Sequence, residues 1–312
     1  MSRETEKIMR KLTEYLSANV TDETDMDDVN AMAQQFMEEY SASLQNAPGL
    51  SEPETADDFL EIAEQASSKK AKLKYIGQAL ELEPENLDAL RLRAELTAKS
   101  PQDLLEVLPP IIEAANRRMR QDGSYEEMKG HFWGIIETRP YMRLRYKYLE
   151  TLAECGMLRR AAEEGEELLE LCEEDNLGVR YDLMHLYAVL EDEAAALTLY
   201  GKQNWEGENE TQLLLPLSVL LYKRNRFDKA LEYLKLLSGS NKDTKKFLGA
   251  VANDTWEKYG GDMSPYGYRP SCMDELIYAY CAFDYLYDTV PYFFSWAKAV
   301  LTEKRGSRQQ KK

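Results

Sequence analysis

Three ten-residue stretches decide the fold: LAECGMLRRA (152–161), YAVLEDEAAA (187–196) and LYKRNRFDKA (221–230). Each joins two helical patterns. An apolar or aromatic residue opens the stretch, a turn position comes next at Gly156, Glu191 or Asn225, and an alanine closes it at Ala161, Ala196 or Ala230. The alanines stand 35 and 34 residues apart, the length of one helical hairpin. A hairpin of that size cannot bury its apolar stripe alone, so it stacks on the next, with a small residue where two helices cross closely. The fold class read from this is all-α, an α-solenoid of hairpins over residues 55–240 with a helical pair before it and a helical cap after it. Gly165 departs from the pattern where a large residue is usual, as does Glu173 where a proline would close the unit. Pro216 is expected within the first turn of its helix, where its missing N–H does no harm.

Outward toward the N-terminus, residues 3–18 put Ile8, Met9, Leu12, Tyr15 and Leu16 on one helical face, and residues 27–44 do the same with Val29, Met32, Phe36, Met37, Tyr40 and Leu44. Residues 1–45 read as an amphipathic helix pair that packs loosely or covers part of the solenoid. The acidic TDETDMDD (21–28) lacks the glycine and closing glutamate of a calcium loop and reads as a helix start. QNAPGLSEPE (45–54) is rich in turn formers and is taken as a linker at 46–54. Ser100, Pro101 and Asp103 make a helix start with Ser100 as N-cap, and Pro109 and Pro110 are expected to kink or split that helix.

Outward toward the C-terminus, residues 241–303 form the cap. Ser271 and Asp274 are read as an N-terminal cap after the turn cluster MSPYGYRPS (263–271), and Phe293, Phe294, Trp296 and Val300 lie on a last helix. The basic tail KRGSRQQKK (304–312) reads as a solvated end.

The densest chemistry lies in HFWGIIETRPYMR (131–143), the entrance to the third helical unit. Between Thr138 and Leu149 there are four basic residues, Arg139, Arg143, Arg145 and Lys147, and no acidic one. One repeat later Arg180 and Tyr181 occupy the positions of Arg145 and Tyr146. First helices of such repeats line a concave face, so Arg139, Tyr141, Arg143, Tyr146, Arg180, Tyr181 and His185 are the candidate peptide-binding residues. The structural alternative reads His131, Phe132 and Trp133 as a plug filling the junction after 109–130, with the arginines neutralising the acidic run 163–175. An alternative site for a small molecule or a reaction centres on His131, Trp133 and Glu137, with no nucleophile or phosphate loop beside it. With only two histidines, neither in a ligand-spaced pattern, no metal and no cofactor is expected.

The segment AKLKYIGQALELEP (71–84), with Ala79 and Pro84 in place, resembles the second helix of a tetratricopeptide repeat, although Lys72 stands where that family prefers alanine. HFWGIIETRPYMR, the ECG turn (154–156), LCEEDNLGVRYDLMHLYAVLEDE (171–193) and MSPYGYRP (263–270) resemble a bacterial tetratricopeptide subfamily without an assigned activity, and DNLGVRY (175–181) is similar to a segment of the suppressor-of-tumorigenicity-seven family. The resemblance implies a helical-repeat fold and a protein-binding role. It supplies no catalytic residue. The carboxylate clamp of some tetratricopeptide domains is absent, since Tyr146 and Glu150 hold the corresponding positions.

Composition bounds the rest. A net charge of −17 repels a phosphate backbone, which argues against nucleic acid as partner. No run approaches the ~18 uninterrupted apolar residues of a membrane helix, and the charged start MSRETEKIMRKLTEYL has no signal-peptide core. Four cysteines without a CxxC pair fit reduced thiols. A cytoplasmic adaptor that binds a protein or peptide is the expectation.

Overall fold

Side chains at Thr55, Ser68, Asn86, Ser100 and Asp192 cap the starts of their helices. The computed structural model describes residues 3–21, 24–46, 53–202, 210–262 and 269–303. Among them the regular structure is helical, with a lone antiparallel bridge between His131 and Cys172. No helix among the described residues is long and apolar enough to cross a membrane. The proposed linker 46–54, the MSPYGYRP turn and the basic tail lie wholly or mostly outside the described residues.

The chain divides into two compact units, 1–155 with 170–174, and 156–169 with 175–312. The division therefore falls inside the repeat region read from the sequence. The first unit holds α1 (Arg3–Asn19), α2 (Met26–Asn46), α3 (Ala56–Gln65), α4 (Lys69–Leu82), α5 (Leu87–Thr97), α6 (Pro101–Gln121), the short α7 (Ser124–Met128) and α8 (Arg139–Glu154). Thr55 starts α3 with a capping box closed by Asp58, Ser68 accepts the Ala71 N–H at α4, and Asn86 accepts the Ala89 N–H at α5. Ser100 caps α6 as read, accepting from the Asp103 N–H, while the Asp103 carboxylate reaches back to the Lys99 N–H at 2.8 Å. Ala56, Leu60, Ala63, Ile76, Ala79 and Ala89 form a shared core beneath α3, α4 and α5.

Of the kink or split expected on α6, the split does not occur. The helix passes through Pro109 and Pro110 without splitting. The two prolines lack the N–H groups that would reach the Leu105 and Glu106 carbonyls, and Glu106, Val107 and Pro110 lie on the exposed side of the helix.

The second unit holds most of α9 (Leu158–Leu171), then α10 (Val179–Leu190), α11 (Glu193–Gly201), α12 (Thr211–Lys223), α13 (Phe227–Ser240), α14 (Thr244–Ala252), α15 (Met273–Cys281), the short α16 (Asp284–Asp288) and α17 (Phe293–Thr302). Every residue of α12 from Thr211 to Leu221 is buried, and α10, α13 and α15 pack around it. Pro216 sits in the second turn of α12, later than expected, and forfeits the bond to the Gln212 carbonyl. Ser271 does not cap α15. It adopts a left-handed φ of 56°, and the first N–H of α15, that of Met273, is accepted by Asp243, just before α14, at 3.1 Å. Asp274 instead binds Arg269. On α17, Phe293 and Phe294 are buried, and Trp296 packs on Tyr222, Phe227 and Phe293.

The register of the three ten-residue stretches reappears in the backbone. Gly156 (φ 73°), Glu191 (φ 58°) and Asn225 (φ 60°) all take the left-handed conformation, and Ala161, Ala196 and Ala230 are each fully buried. At the second and third turns the Asp192 and Arg226 N–H groups close on the Tyr187 and Leu221 carbonyls at 2.9 and 2.8 Å, six-residue closures that end α10 and α12. A glutamate in this conformation is strained by its Cβ. Glu191→Gly is therefore expected to stabilise the chain by a few tenths to about 1 kcal/mol, and Gly156→Ala to destabilise it by about 1 kcal/mol. Chemical denaturation of the two variants checks the opposite signs.

Candidate functional site

Residues 131–138 fold as a loop that ends in a helical turn at Ile136–Thr138 and leads into α8. Gly130, at φ 92°, turns the chain so that its carbonyl accepts the Glu173 N–H at 2.9 Å, and the Phe132 N–H donates to the Leu171 carbonyl at 3.0 Å. These bonds zip 130–132 to 171–173. Phe132 is fully buried between Tyr125 and Tyr141, with ring centres 5.6 and 6.0 Å away. The Thr138 hydroxyl donates to the Phe132 and Ile135 carbonyls, and the Arg139 Nε donates to the Trp133 carbonyl at 2.8 Å while its guanidinium lies 5.4 Å from the Trp133 ring. His131 and Glu137 are exposed, on either side of the buried Phe132. The residues of the alternative site thus serve different local roles.

The arginines of α8 meet carboxylates from distant parts of the first unit. Arg143 reaches Glu6 of α1 through Nη1 at 2.8 and 3.1 Å, and Asp88 of α5 through Nε at 3.0 Å and through Nη2. Arg139 approaches the same Glu6 at 3.5 Å, and Arg91 pairs with Asp88 and Glu95. Glu6 and Arg139 are 5% exposed and Asp88 3%. Three cations therefore face three carboxylates within a largely buried network that ties α1, α5 and α8 together. Arg145 is buried with its guanidinium 5.8 Å from the Tyr141 ring, and Lys147 pairs with Glu150.

The DNLGVRY element builds a second, separate cluster in the second unit. Asp175, itself left-handed at φ 48°, accepts the Val179 N–H at 2.7 Å and the Arg180 N–H at 3.1 Å, which caps α10 from four residues upstream. Gly178, at φ 74°, leaves room for the Tyr181 ring, which lies 3.2 Å from where a Cβ would be. Arg180 bonds to Asp175 at 2.9 Å, to Glu210 at 3.2 and 3.3 Å, and to the Tyr181 hydroxyl at 2.6 Å. Burial pushes the Asp175 carboxyl above its ordinary value, against the opposing pull of Arg180 and the two N–H groups.

His185, on α10, is enclosed (1% exposed) and stacked on Phe283 at 4.8 Å, with Tyr287 edge-on. Nδ1 lies 2.7 Å from the Tyr181 carbonyl, and Nε2 lies 3.3 Å from both the Ala279 carbonyl and the Tyr287 hydroxyl. The neutral tautomer with its proton on Nδ1 satisfies the shorter contact and leaves Nε2 to accept from Tyr287. Burial lowers the pKa to about 4, against the opposing effect of the two carbonyls. A histidine depressed in the folded state takes up its proton more readily when unfolded, so stability falls as pH drops from about 6.5 toward 4. The expected loss from this group is about 3 kcal/mol at full protonation of the unfolded state. Denaturant unfolding at pH 7 and pH 4.5 checks it: His185→Leu is expected to flatten the dependence, and an unchanged slope refutes the assignment.

Of the seven candidate binding residues, Arg139, Tyr141 and His185 are thus enclosed, while Arg143, Tyr146, Arg180 and Tyr181 are half-buried. Arg143 and Arg180 are held by carboxylates of their own unit. Sequence reasoning missed the two carboxylates that hold Arg143, Asp88 and, farther along the chain, Glu6. The signal for Glu6 was available only as a carboxylate on an amphipathic helix otherwise rich in basic and apolar residues. Among the described residues no group of three or more His, Cys, Asp or Glu is arranged to hold a metal ion. No family model matches this sequence, and no curated protein matches it.

Proposed function

We propose that this chain is a helical-repeat scaffold of tetratricopeptide character that binds a protein or peptide. The observation that carries the reading is the recurrence, at 35 and 34 residues, of a left-handed turn residue with a fully buried alanine five residues after it. The resemblance of 71–84 and 131–143 to tetratricopeptide sequences supports the same reading. On this reading the plug around Phe132 and the arginine networks fix hairpin geometry, and the half-buried Tyr146 in the first unit and Arg180 and Tyr181 in the second are each candidate contact residues of their own unit. The alternative centred on His131, Trp133 and Glu137 is weaker, because Trp133 is engaged by Arg139 through both ring and carbonyl.

The test is affinity capture with the full chain, crosslinked in the cell and compared with Tyr146→Ala and Tyr181→Ala. Retention of a defined protein by the wild type, reduced in either variant, supports the scaffold. A ligand-induced rise in melting temperature in a metabolite screen, abolished by His131→Ala and unaccompanied by any retained protein, would replace it with the small-molecule reading.

A further inference from the structure

α1 is attached in an unusual way. Among its described side chains only Glu6 is buried; Ile8, Leu12 and Leu16 keep part of their surface in water and Met9 is exposed. What fastens it is charge. Glu6 enters between Arg139 and Arg143, Lys7 pairs with Asp58, and Arg10 pairs with Asp57. The seat thus presents two cations on α8 and two carboxylates on α3, and α1 answers with one carboxylate and basic residues one and four positions after it, all on one face of a helix. Although burial raises the Asp58 pKa, Lys7 and the Thr55 cap hold it well below the usual carboxylate range. By contrast α3 fastens itself with fully buried Leu60 and two buried alanines.

The outer pairs, Lys7 with Asp58 and Arg10 with Asp57, are partly exposed and exchange at modest cost, because water solvates their charges again. The buried Glu6 gives the seat its selectivity, since Arg139 and Arg143 without a carboxylate are left desolvated. The Arg139 and Arg143 that α1 covers are the first two arginines of the run Arg139–Lys147, and they stand on the first helix of the third unit. We propose that the seat of α1 is a recognition site for an amphipathic helix of a partner protein, one bearing a glutamate with basic residues one and four positions on, and that α1 is its internal occupant. This rests on the scaffold reading and narrows its ligand class. A partner helix of that pattern binds when it outcompetes α1, so the chain holds its own site closed until such a helix arrives.

The probe is a fluorescein-labelled peptide of residues 3–19, titrated with the full-length chain at low salt and monitored by anisotropy. The wild type, whose seat is filled, is expected to bind it weakly. Glu6→Ala loosens the internal copy and is expected to bind it at least about tenfold more tightly. A probe carrying Glu6→Lys is expected to lose that binding. In a chain that also carries Asp57→Lys the native probe is expected to weaken, and a probe with Arg10→Glu to recover. Should Glu6→Ala lose its helical circular dichroism, Arg10→Glu in the chain loosens α1 through an outer contact instead. Equal affinity of wild type and loosened chain, or binding indifferent to Glu6→Lys in the probe, overturns the proposal. Concentration-dependent dimers of the loosened chain, seen by light scattering and dispersed by the probe, would give the seat to a second copy and overturn the partner assignment. Loss of probe binding with protein capture intact removes the seat and leaves the scaffold. Probe binding with no protein retained removes the scaffold and the partner role together.

Discussion

Phe132→Ala is expected to destabilise the first unit by about 3–5 kcal/mol, the range for removing a fully enclosed aromatic ring from a packed site. The ring is fully buried and touches Tyr125 and Tyr141, so its loss leaves a cavity between α7 and α8. The cavity cannot close easily, because the backbone at Phe132 is tied to Leu171 and the Thr138 hydroxyl is tied to the Phe132 carbonyl. Phe132→Leu keeps most of the volume and is expected to cost less than half as much. Urea unfolding of both variants reads the difference. A cost below about 1 kcal/mol for the alanine variant would place Phe132 among ordinary surface substitutions and end its role as a plug.

Asp88→Ala is the second large effect, at about 3–5 kcal/mol, for an electrostatic reason. Asp88, itself buried, accepts from the partly buried Arg143 and Arg91. Its removal leaves Arg143 facing Glu6 alone and removes one of the carboxylates paired with Arg91. Deleting one partner of a buried pair leaves a desolvated charge, whereas replacing both with apolar groups restores much of the stability. The double variant Asp88→Ala with Arg143→Leu is therefore expected to be more stable than Asp88→Ala alone, and a thermodynamic cycle measures the coupling. Strictly additive losses would show that the two side chains do not act as a pair.

The arginines of 139–147 show how far local reading carries. Their excess over acidic neighbours is a property of a twelve-residue window and is plain in the sequence. Their neutralisation is not, because Glu6 and Asp88 lie 137 and 55 residues from Arg143 along the chain. From the acidic run 163–175, Asp175 pairs with Arg180 and Glu170 with Lys129, whereas Arg143 is held by Glu6 and Asp88. His185 makes the same point: its place on a helix is legible, but its enclosure depends on Ala279, Phe283 and Tyr287. Ser271 is not the cap of α15; Asp243, just before α14, accepts the Met273 N–H instead.

What the sequence determined by itself is what arises within a few residues or from a period: the helices, the Ser100 cap, the turn positions Gly156, Glu191 and Asn225, and the buried alanines five residues after each turn. Propensity, capping and the spacing of apolar residues act over one or two helical turns, so they are written where they operate. Tertiary structure alone decided which charges meet and which aromatic rings are enclosed. A buried ion pair forms where packing brings two distant side chains together and excludes water, and neither partner carries a mark of the other in its own neighbourhood. That is why HFWGIIETRPYMR displays its arginines in the sequence but not the glutamate near the start of the chain that pairs with Arg139 and Arg143.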